Sequence, residues 1–249
     1  MKSRFLPIFL TLFCVINFQL FAQQSLPKLV KKGTTTQLIV DDKPFIILGG
    51  ELGNSTATTT ENMKSVWPKL KTMNLNTVLV PVYWELIEPI EGKFDFKLYQ
   101  DLIIEARQND IKLVFLWFGS WKNSMSSHAP AWVKLNQDKY PRVKDQTGRS
   151  QEILSSFSEN VLEADKNAFE KLMQFIKDFD TKDRTVIMVQ VENEIGMLPS
   201  ARDHQTLANE AFKKPVPTEM MTYLQQYKDN LVPEFREIWK KNGNKTSGN

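Results

Sequence analysis

The strongest constraint on the fold is a regular alternation of short apolar runs and amphipathic segments after residue 34. Four apolar runs predict strands that are buried on both faces, at residues 44–48, 77–82, 111–117 and 185–191. Apolar residues at helical spacing predict helices at residues 60–73, 97–108, 165–179 and 218–241, the last divided by Pro233. Strands that alternate with helices in this way predict an α/β fold with a covered parallel sheet.

Doubly wound sheets and TIM barrels both satisfy this alternation. A doubly wound dinucleotide fold normally has a GxGxxG turn after its first strand, and the glycines of residues 49–53 lack that spacing. The long polar and aromatic loops follow the strands, at residues 83–96, 118–164 and 192–217. In a TIM barrel such loops form the face that carries the active site. The sequence therefore favours a (β/α)8 TIM barrel, of which about the first four βα units are expected here.

Composition excludes several kinds of chemistry. Hydrophobic residues make up 41% of the chain and charged residues 24%, which is typical of a globular protein. The net charge is +3 and no basic run stands apart from acidic neighbours, so no nucleic-acid partner is expected. Cys14 is the only cysteine, the chain has two histidines, and no HExxH or GxSxG motif occurs. Acidic side chains are therefore the candidate catalysts, and neither a metal nor a cofactor is expected.

Residues 1–22 have the pattern of a secretory signal peptide. Lys2 and Arg4 supply positive charge, an apolar run follows, and the small Ala22 precedes two polar residues. We expect cleavage to leave residues 23–249 as a periplasmic or secreted protein without membrane attachment. A single N-terminal membrane anchor is the alternative interpretation of the same pattern.

The fourth predicted strand ends abruptly in Glu192, Asn193 and Glu194. Burying a carboxylate costs free energy unless it is paired or functional. In a regular strand Asn193 and Glu194 would face opposite ways, so their use in one pocket requires irregular backbone. Hydrolysis of a glycosidic bond needs one carboxylic acid to protonate the leaving oxygen and a second carboxylate to attack or to activate water.

The stretch from Gln190 to Gly196, QVENEIG, resembles the QxENEYG motif of glycoside hydrolase family 35, the β-galactosidases. Residues 76–96 are similar to the family's NTV…W…HEP…G.FDF segment, and residues 130–133 to its LPAWL element. These matches occur in order and cover residues 44 to 196. The resemblance implies a TIM-barrel, retaining exo-glycosidase that releases terminal β-D-galactosyl residues from oligo- or polysaccharides.

The resemblance also implies roles for individual residues. Glu194 would be the general acid/base, and Asn193 would hydrogen-bond the sugar 2-hydroxyl. Trp84 is a candidate wall of the sugar site, because aromatic faces pack against sugar C–H groups, with core packing as the alternative. Glu192 either lies in the site or pairs with an arginine such as Arg202, the structural role being favoured.

The chain departs from the family pattern at three places that shape the sugar pocket. Residues 50–55 stand where many members have a GxxHYFR-like stretch, residues 117–121 where they have an AEW-like segment, and Glu85 where they have Asn. Glu51 and Trp117 are therefore further candidates for substrate contacts. A salt-bridged strand end is the alternative for Glu51.

In the resembling family the nucleophilic glutamate follows the seventh strand, whereas four strands are predicted here. We therefore expect the nucleophile beyond residue 249, and we expect residues 23–249 alone to be inactive. Two alternatives stay open: a β-glucosidase or β-mannanase of the same clan, and a non-catalytic carbohydrate-binding protein. A carbohydrate is the expected partner in each case, and the oligomeric state is left open.

Overall fold

The computed structural model describes residues 25–123, 125–196 and 200–248, so the predicted signal peptide 1–22 lies outside the described residues. The strands are β1 (Lys28–Lys32), β2 (Thr35–Val40), β3 (Lys43–Pro44), β4 (Gly49–Glu51), β5 (Thr77–Tyr83), β6 (Lys112–Phe118), β7 (Arg142–Lys144), β8 (Ser150–Leu154) and β9 (Val186–Gln190). The α-helices are α1 (Thr60–Lys64), α2 (Trp67–Thr72), α3 (Trp84–Ile87), α4 (Lys97–Gln108), α5 (Ala131–Lys134), α6 (Glu159–Asp180), α7 (Thr206–Phe212), α8 (Thr218–Gln226) and α9 (Pro233–Lys241). Short 3-10 helices occupy Thr56–Thr58 and Lys228–Asn230.

The chain divides into two compact units, Met1–Phe45 and Ile46–Asn249. The described part of the first unit is an antiparallel sheet in the order β1-β2-β3. Asp41 and Asp42 connect β2 to β3 with φ angles of 52° and 61°. Two consecutive positive φ angles are the geometry of a tight hairpin turn, which Asp tolerates better than most residues.

The second unit is built on a four-stranded sheet in the order β4-β5-β6-β9, and all three pairings are parallel. Parallel neighbours need long crossover connections, which the helices of this unit supply. A doubly wound sheet reverses its strand order near the first strand, whereas a barrel adds each new strand beside the previous one. The observed order is therefore that of a barrel.

The core of the second unit lies around β5 and β6, which pair over seven residues each, from Thr77 beside Lys112 to Tyr83 beside Phe118. Side chains on both faces of these strands are buried, which explains their continuous apolar sequence. Helix α4 contributes a fully buried apolar stripe consisting of Tyr99, Leu102, Ile103 and Ala106. The sheet is thus fixed most firmly at its two central strands.

Several predicted elements are confirmed. Helix α4 has the predicted bounds, and β5, β6 and β9 each lie within one residue of prediction. Helix α6 begins six residues earlier than predicted, because the Ser158 hydroxyl caps it by accepting the N–H of Val161. Pro233 divides the last predicted helix, as expected, and stands at the first turn of α9.

The first predicted strand is wrong in position. Residues 46–48 are exposed, and the strand that pairs with β5 is β4, which starts only at Gly49. The backbone of residues 46–48 is instead hydrogen-bonded to the Asn76 side chain. The Asn76 Nδ2 donates to the Ile46 carbonyl, and the Asn76 Oδ1 accepts the N–H of Leu48, both at 2.9 Å. Hydrogen bonds to a side chain therefore replace strand-to-strand hydrogen bonds along most of this run.

Within the ranges that the structure describes, no helix has the length and apolarity required to cross a bilayer.

Replacing Tyr99 by Phe is expected to lower the free energy of unfolding by about 1–3 kcal/mol, the cost of a buried N–H left without a partner. The fully buried Tyr99 hydroxyl accepts the backbone N–H of Tyr83 at 2.8 Å, at the end of β5. Denaturant unfolding measures the change. The matched control is Tyr223→Phe in α8, whose ring is 58% exposed; equal effects of both variants would contradict the role of the buried hydroxyl.

Candidate functional site

The carboxyl ends of β5, β6 and β9 lie at one edge of the parallel sheet, where the predicted catalytic loop begins. Directly after β9 the backbone is irregular, with φ angles of 59° at Glu192 and 42° at Glu194. Positive φ angles are uncommon for residues other than glycine and accumulate at functional sites. The irregular backbone that a common pocket for Asn193 and Glu194 would require is therefore present after β9.

Asn193 and Glu194 differ in how they are held. The Asn193 Nδ2 donates to the Lys122 carbonyl at 2.9 Å, and its Oδ1 accepts the Gln190 Nε2 at 2.7 Å. The amide is therefore fixed in orientation and half-buried. Glu194 is exposed, and its carbonyl accepts the N–H of Gly196 in a tight turn. The strand end thus presents an accessible carboxyl group beside a fixed amide.

Glu192 does not pair with Arg202, so that sequence-based option is wrong. Arg202 donates to the carbonyl of Asp203 and to the side chain of Asn209. Glu192 instead accepts the backbone N–H of Trp121 at 3.0 Å, next to the Ser120 N–H that Asp165 on α6 accepts at 2.8 Å.

The environment of Glu192 favours its neutral form. Burial raises the pKa of Glu192 well above its usual range, and the adjacent Asp165 carboxylate raises it further. The backbone N–H groups of Trp121 and Ser120 act in the opposite direction and lower the pKa. Burial and like-charge repulsion outweigh them, so Glu192 is a neutral carboxylic acid next to the candidate acid/base.

Asp165 was not recognised from the sequence as part of this region. Its Oδ1 accepts the Trp117 Nε1–H and its Oδ2 accepts the backbone N–H of Ser120, both at 2.8 Å. Gly119 lies so close that an added Cβ would sit 2.6 and 2.7 Å from the two Asp165 oxygens. An acid at helical spacing among the apolar residues Val161, Ala168 and Leu172 is a sequence feature that could have identified this residue.

A histidine and three aromatic or acidic neighbours form a second cluster at the same sheet edge. His128 stacks on Phe118 at 5.5 Å between ring centroids and lies 5.0 Å from the Tyr83 ring. Its Nδ1 is 2.8 Å from a Glu85 carboxylate oxygen, and the Lys134 ammonium lies 3.7 Å from the other oxygen. Nothing in the local sequence identifies the partner of His128, because Glu85 lies 43 residues away along the chain.

Glu85→Gln is expected to destabilise the protein by about 0.5 kcal/mol at neutral pH, the size typical of a half-exposed ion pair. The hydrogen bond from His128 is the main cause that lowers the pKa of Glu85, Lys134 adds to it, and burial opposes both. A carboxylate with a lowered folded pKa stabilises above its ordinary value of 4.5 and loses that contribution as pH falls.

The difference in unfolding midpoint between wild type and Glu85→Gln should therefore shrink on acidification, as measured by thermal unfolding across pH. Glu91→Gln is the matched control, because Glu91 forms a more exposed pair with Lys139. A difference that grows as the pH falls would refute the proposed origin of the effect.

The other predicted site residues lie in different settings. Trp84 is fully buried, packs edge-on against Trp132 at 5.9 Å and donates its ring N–H to Glu88 at 2.8 Å. The structure therefore places Trp84 in the core, with no ring face open to a sugar. Trp117 is almost fully buried but lines a cavity beside α6, and Glu51 is exposed at the end of β4.

Lys122 is a further residue that the sequence did not single out. Only 9% of it is exposed, and its ammonium group lies 5.7 Å from the centroid of the Phe118 ring. Its carbonyl is the group that holds Asn193. Within the described part of the chain, no group of three or more His, Cys, Asp or Glu side chains is arranged to hold a metal ion.

The chain is similar to a known protein family and to several known proteins. The model of the Glycosyl hydrolases family 35 matches residues 37–237. The chain is 27% identical over 178 residues to Beta-galactosidase 14 of Arabidopsis thaliana, which covers 69% of this chain and 19% of that protein. It is 24% identical over 217 residues to the Beta-galactosidase of Xanthomonas manihotis, which covers 84% of this chain and 33% of that protein.

The chain thus spans a third or less of the length of these two relatives. Among solved structures, a GH42 beta-galactosidase from G. stearothermophilus aligns with 79% of this chain and 26% of its own, with a TM-score of 0.53 and 19% identity. This structural similarity shows a shared α/β fold of the TIM-barrel type.

Proposed function

Because the chain belongs to glycosyl hydrolase family 35, we propose that it carries part of the active site of a retaining β-galactosidase. The proposed enzyme removes terminal β-D-galactosyl residues from oligo- or polysaccharides. Glu194 is its general acid/base, and Asn193 binds the sugar 2-hydroxyl. The curated relatives that support this assignment are beta-galactosidases themselves.

One observation carries the proposal: the irregular turn after β9 that exposes the Glu194 carboxyl beside the fixed amide of Asn193. An acid that protonates a leaving oxygen must be accessible to substrate, and Glu194 is exposed at the carboxyl edge of the sheet. A ligand of the 2-hydroxyl must be held still, because that contact strengthens at the transition state. Asn193 meets this requirement through its bonds to Lys122 and Gln190.

A retaining mechanism requires a second carboxylate about 5–5.5 Å from the acid/base, which attacks the anomeric carbon and forms a glycosyl-enzyme intermediate. Glu194 first protonates the leaving oxygen and then, as a carboxylate, takes a proton from the water that releases the sugar. Glu192 is unsuited to the nucleophilic role, because its raised pKa keeps it neutral. The proposal places the nucleophile outside residues 1–249.

The test is hydrolysis by the full-length protein of aryl β-galactoside, β-glucoside and β-mannoside, with the first-formed anomer followed by NMR. We expect preference for the galactoside and initial release of the β-anomer. Preference for the glucoside or mannoside would replace the proposal by another enzyme of the same clan. Initial release of the α-anomer would exclude the retaining mechanism. Sugar binding without turnover would exclude the proposal that the protein is an enzyme.

A further inference from the structure

Two carboxyl groups beside the proposed acid/base take no part in the reaction described above. Asp165 on α6 and Glu192 after β9 meet at the wall of a cavity of about 590 Å³. The remaining wall is mainly apolar and includes Trp117, Trp121, Val161 and Phe169. Acidic side chains in such surroundings are costly unless their charges are compensated.

Both carboxyl oxygens of Asp165 accept hydrogen bonds from N–H groups. Asp165 is 7% exposed, and each of its oxygens accepts an N–H group at 2.8 Å, one from the Trp117 ring and one from the Ser120 backbone. Hydrogen bonds donated to both oxygens stabilise the negative charge. Both oxygens of Asp165 are thus already engaged by N–H donors.

Glu192 has the contacts of a neutral acid. Its Oε2 accepts the Trp121 N–H at 3.0 Å, and Asp165 accepts the N–H of the preceding residue, Ser120, so the two carboxyl groups lie side by side in the cavity wall. Two neighbouring carboxyl groups in a poorly solvated site favour a proton between them, because like charges side by side repel each other. Since both oxygens of Asp165 already accept N–H groups, Glu192 supplies the hydrogen.

Among the residues that the structure describes, no basic side chain forms an ion pair with Asp165 or Glu192. Helix α6 contributes Lys166 to the cavity wall, but the Lys166 ammonium lies 2.9 Å from Glu163 on the same helix. Strand β6 and the turn after it face the pair with the neutral N–H donors described above. Glu194 is the nearest titratable residue along the chain, two positions after Glu192, and it is exposed.

We propose that Asp165 and Glu192 share a single proton, and that their hydrogen bond positions the turn that carries Glu194. The proposed bond would tie α6 to residues 192–194, and the N–H of Trp121 ties the same turn to residues 119–122. The hydrogen bond from Asn193 to the Lys122 carbonyl is a second link between residues 192–194 and residues 119–122. The positioning role rests on the proposed function of Glu194, whereas the shared proton does not.

Loss of the shared proton should loosen this junction. A second negative charge on Glu192 would face the Asp165 carboxylate and convert an attraction into a repulsion. Because the folded protein keeps a proton that the unfolded chain releases above the ordinary pKa of Glu, stability should fall as the pH rises from that value. Glu192→Gln should flatten this pH dependence, since Gln is neutral and still donates an N–H group.

The first experiment tests the proton directly. An infrared difference spectrum between the full-length wild type and Glu192→Gln at neutral pH should show the loss of the C=O stretch of a protonated carboxylic acid. Thermal unfolding across neutral and alkaline pH should show a steeper decline for the wild type than for this variant. Absence of the C=O band, or an equal pH dependence of the unfolding midpoint in both proteins, would overturn the shared proton. This conclusion does not depend on which glycoside the protein hydrolyses.

The second experiment tests positioning with an aryl β-galactoside. Asp165→Asn should lower kcat at least about tenfold with a smaller change in KM, because Glu194 is displaced rather than removed. Glu192→Ala should lose a similar factor, and the conservative Glu192→Gln should recover most of that loss. The matched control is Asp178→Asn, an exposed acid of the same helix that accepts a hydrogen bond from Gln174.

Unchanged kcat in Asp165→Asn, or equal losses in the two Glu192 variants, would overturn the positioning role. If the wild type hydrolyses no glycoside, the proposed function fails while the infrared and unfolding measurements still decide the shared proton. Failure of Asp165→Asn to fold leaves the comparison of Glu192→Gln with Glu192→Ala as the test of positioning.

Discussion

Glu194→Gln is expected to lower kcat/KM of the full-length protein by about 10²–10⁴-fold for galactosides with poor leaving groups, the usual contribution of a general acid. Such leaving groups need a proton as the glycosidic bond breaks, and Gln cannot supply one. An activated aryl galactoside leaves without that help, so its first step should be affected far less. Steady-state and burst kinetics on both kinds of substrate measure the difference.

The structure offers a matched control for this variant. Glu163→Gln removes one carboxylate from the exposed surface of α6, where Glu163 pairs with Lys166, and should leave both activities unchanged. Equal losses for activated and unactivated substrates in Glu194→Gln would exclude the acid role. A loss confined to binding, with kcat intact, would instead make Glu194 a substrate ligand.

Gly119→Ala should destabilise the protein by about 1–3 kcal/mol, the usual cost of forcing a methyl group into a filled space. The added Cβ would lie 2.5 Å from the Trp117 Nε1 and 2.6 Å from the nearer Asp165 oxygen. Neither neighbour can retreat easily, because these atoms form the buried hydrogen bond between Trp117 and Asp165. Denaturant unfolding of the full-length protein measures the loss.

Gly196→Ala is the corresponding control, since a Cβ at Gly196 would meet nothing within 4 Å. Its effect on stability should stay within about 0.5 kcal/mol. If Gly119→Ala were equally harmless, the close approach of Gly119 to Asp165 would not describe the protein in solution. If it lowered activity without lowering stability, strain would be relieved by movement of the turn that follows β6.

The elements that sequence predicted well are those whose apolar pattern is local and long. Helix α4 matches its predicted bounds because four buried residues recur at helical spacing along it. The run at residues 44–48 was equally apolar, yet its backbone is bound by the Asn76 side chain, about 30 residues away. A side chain so distant cannot be recognised as a strand-ending contact from local composition.

The candidate site was predictable only in part, for the same physical reason. The stretch from Glu192 to Glu194 is distinctive by itself, and its need for irregular backbone followed from the alternation of side chains in a strand. Trp84 could not be assigned, because an indole suits a sugar site and a core equally well until its neighbours are known. Asp165 and His128 act through partners contributed by other elements.

The spatial order of the parallel sheet also has a consequence for how the chain is made. Each strand from β4 to β9 lies beside the strand synthesised just before it in the same sheet. Domains fold during synthesis from their amino-terminal side, and a sheet of this order can grow by adding each strand to an edge already formed. The turn bearing Glu194 follows the last of these four strands, so the scaffold that orients it can exist before it leaves the ribosome.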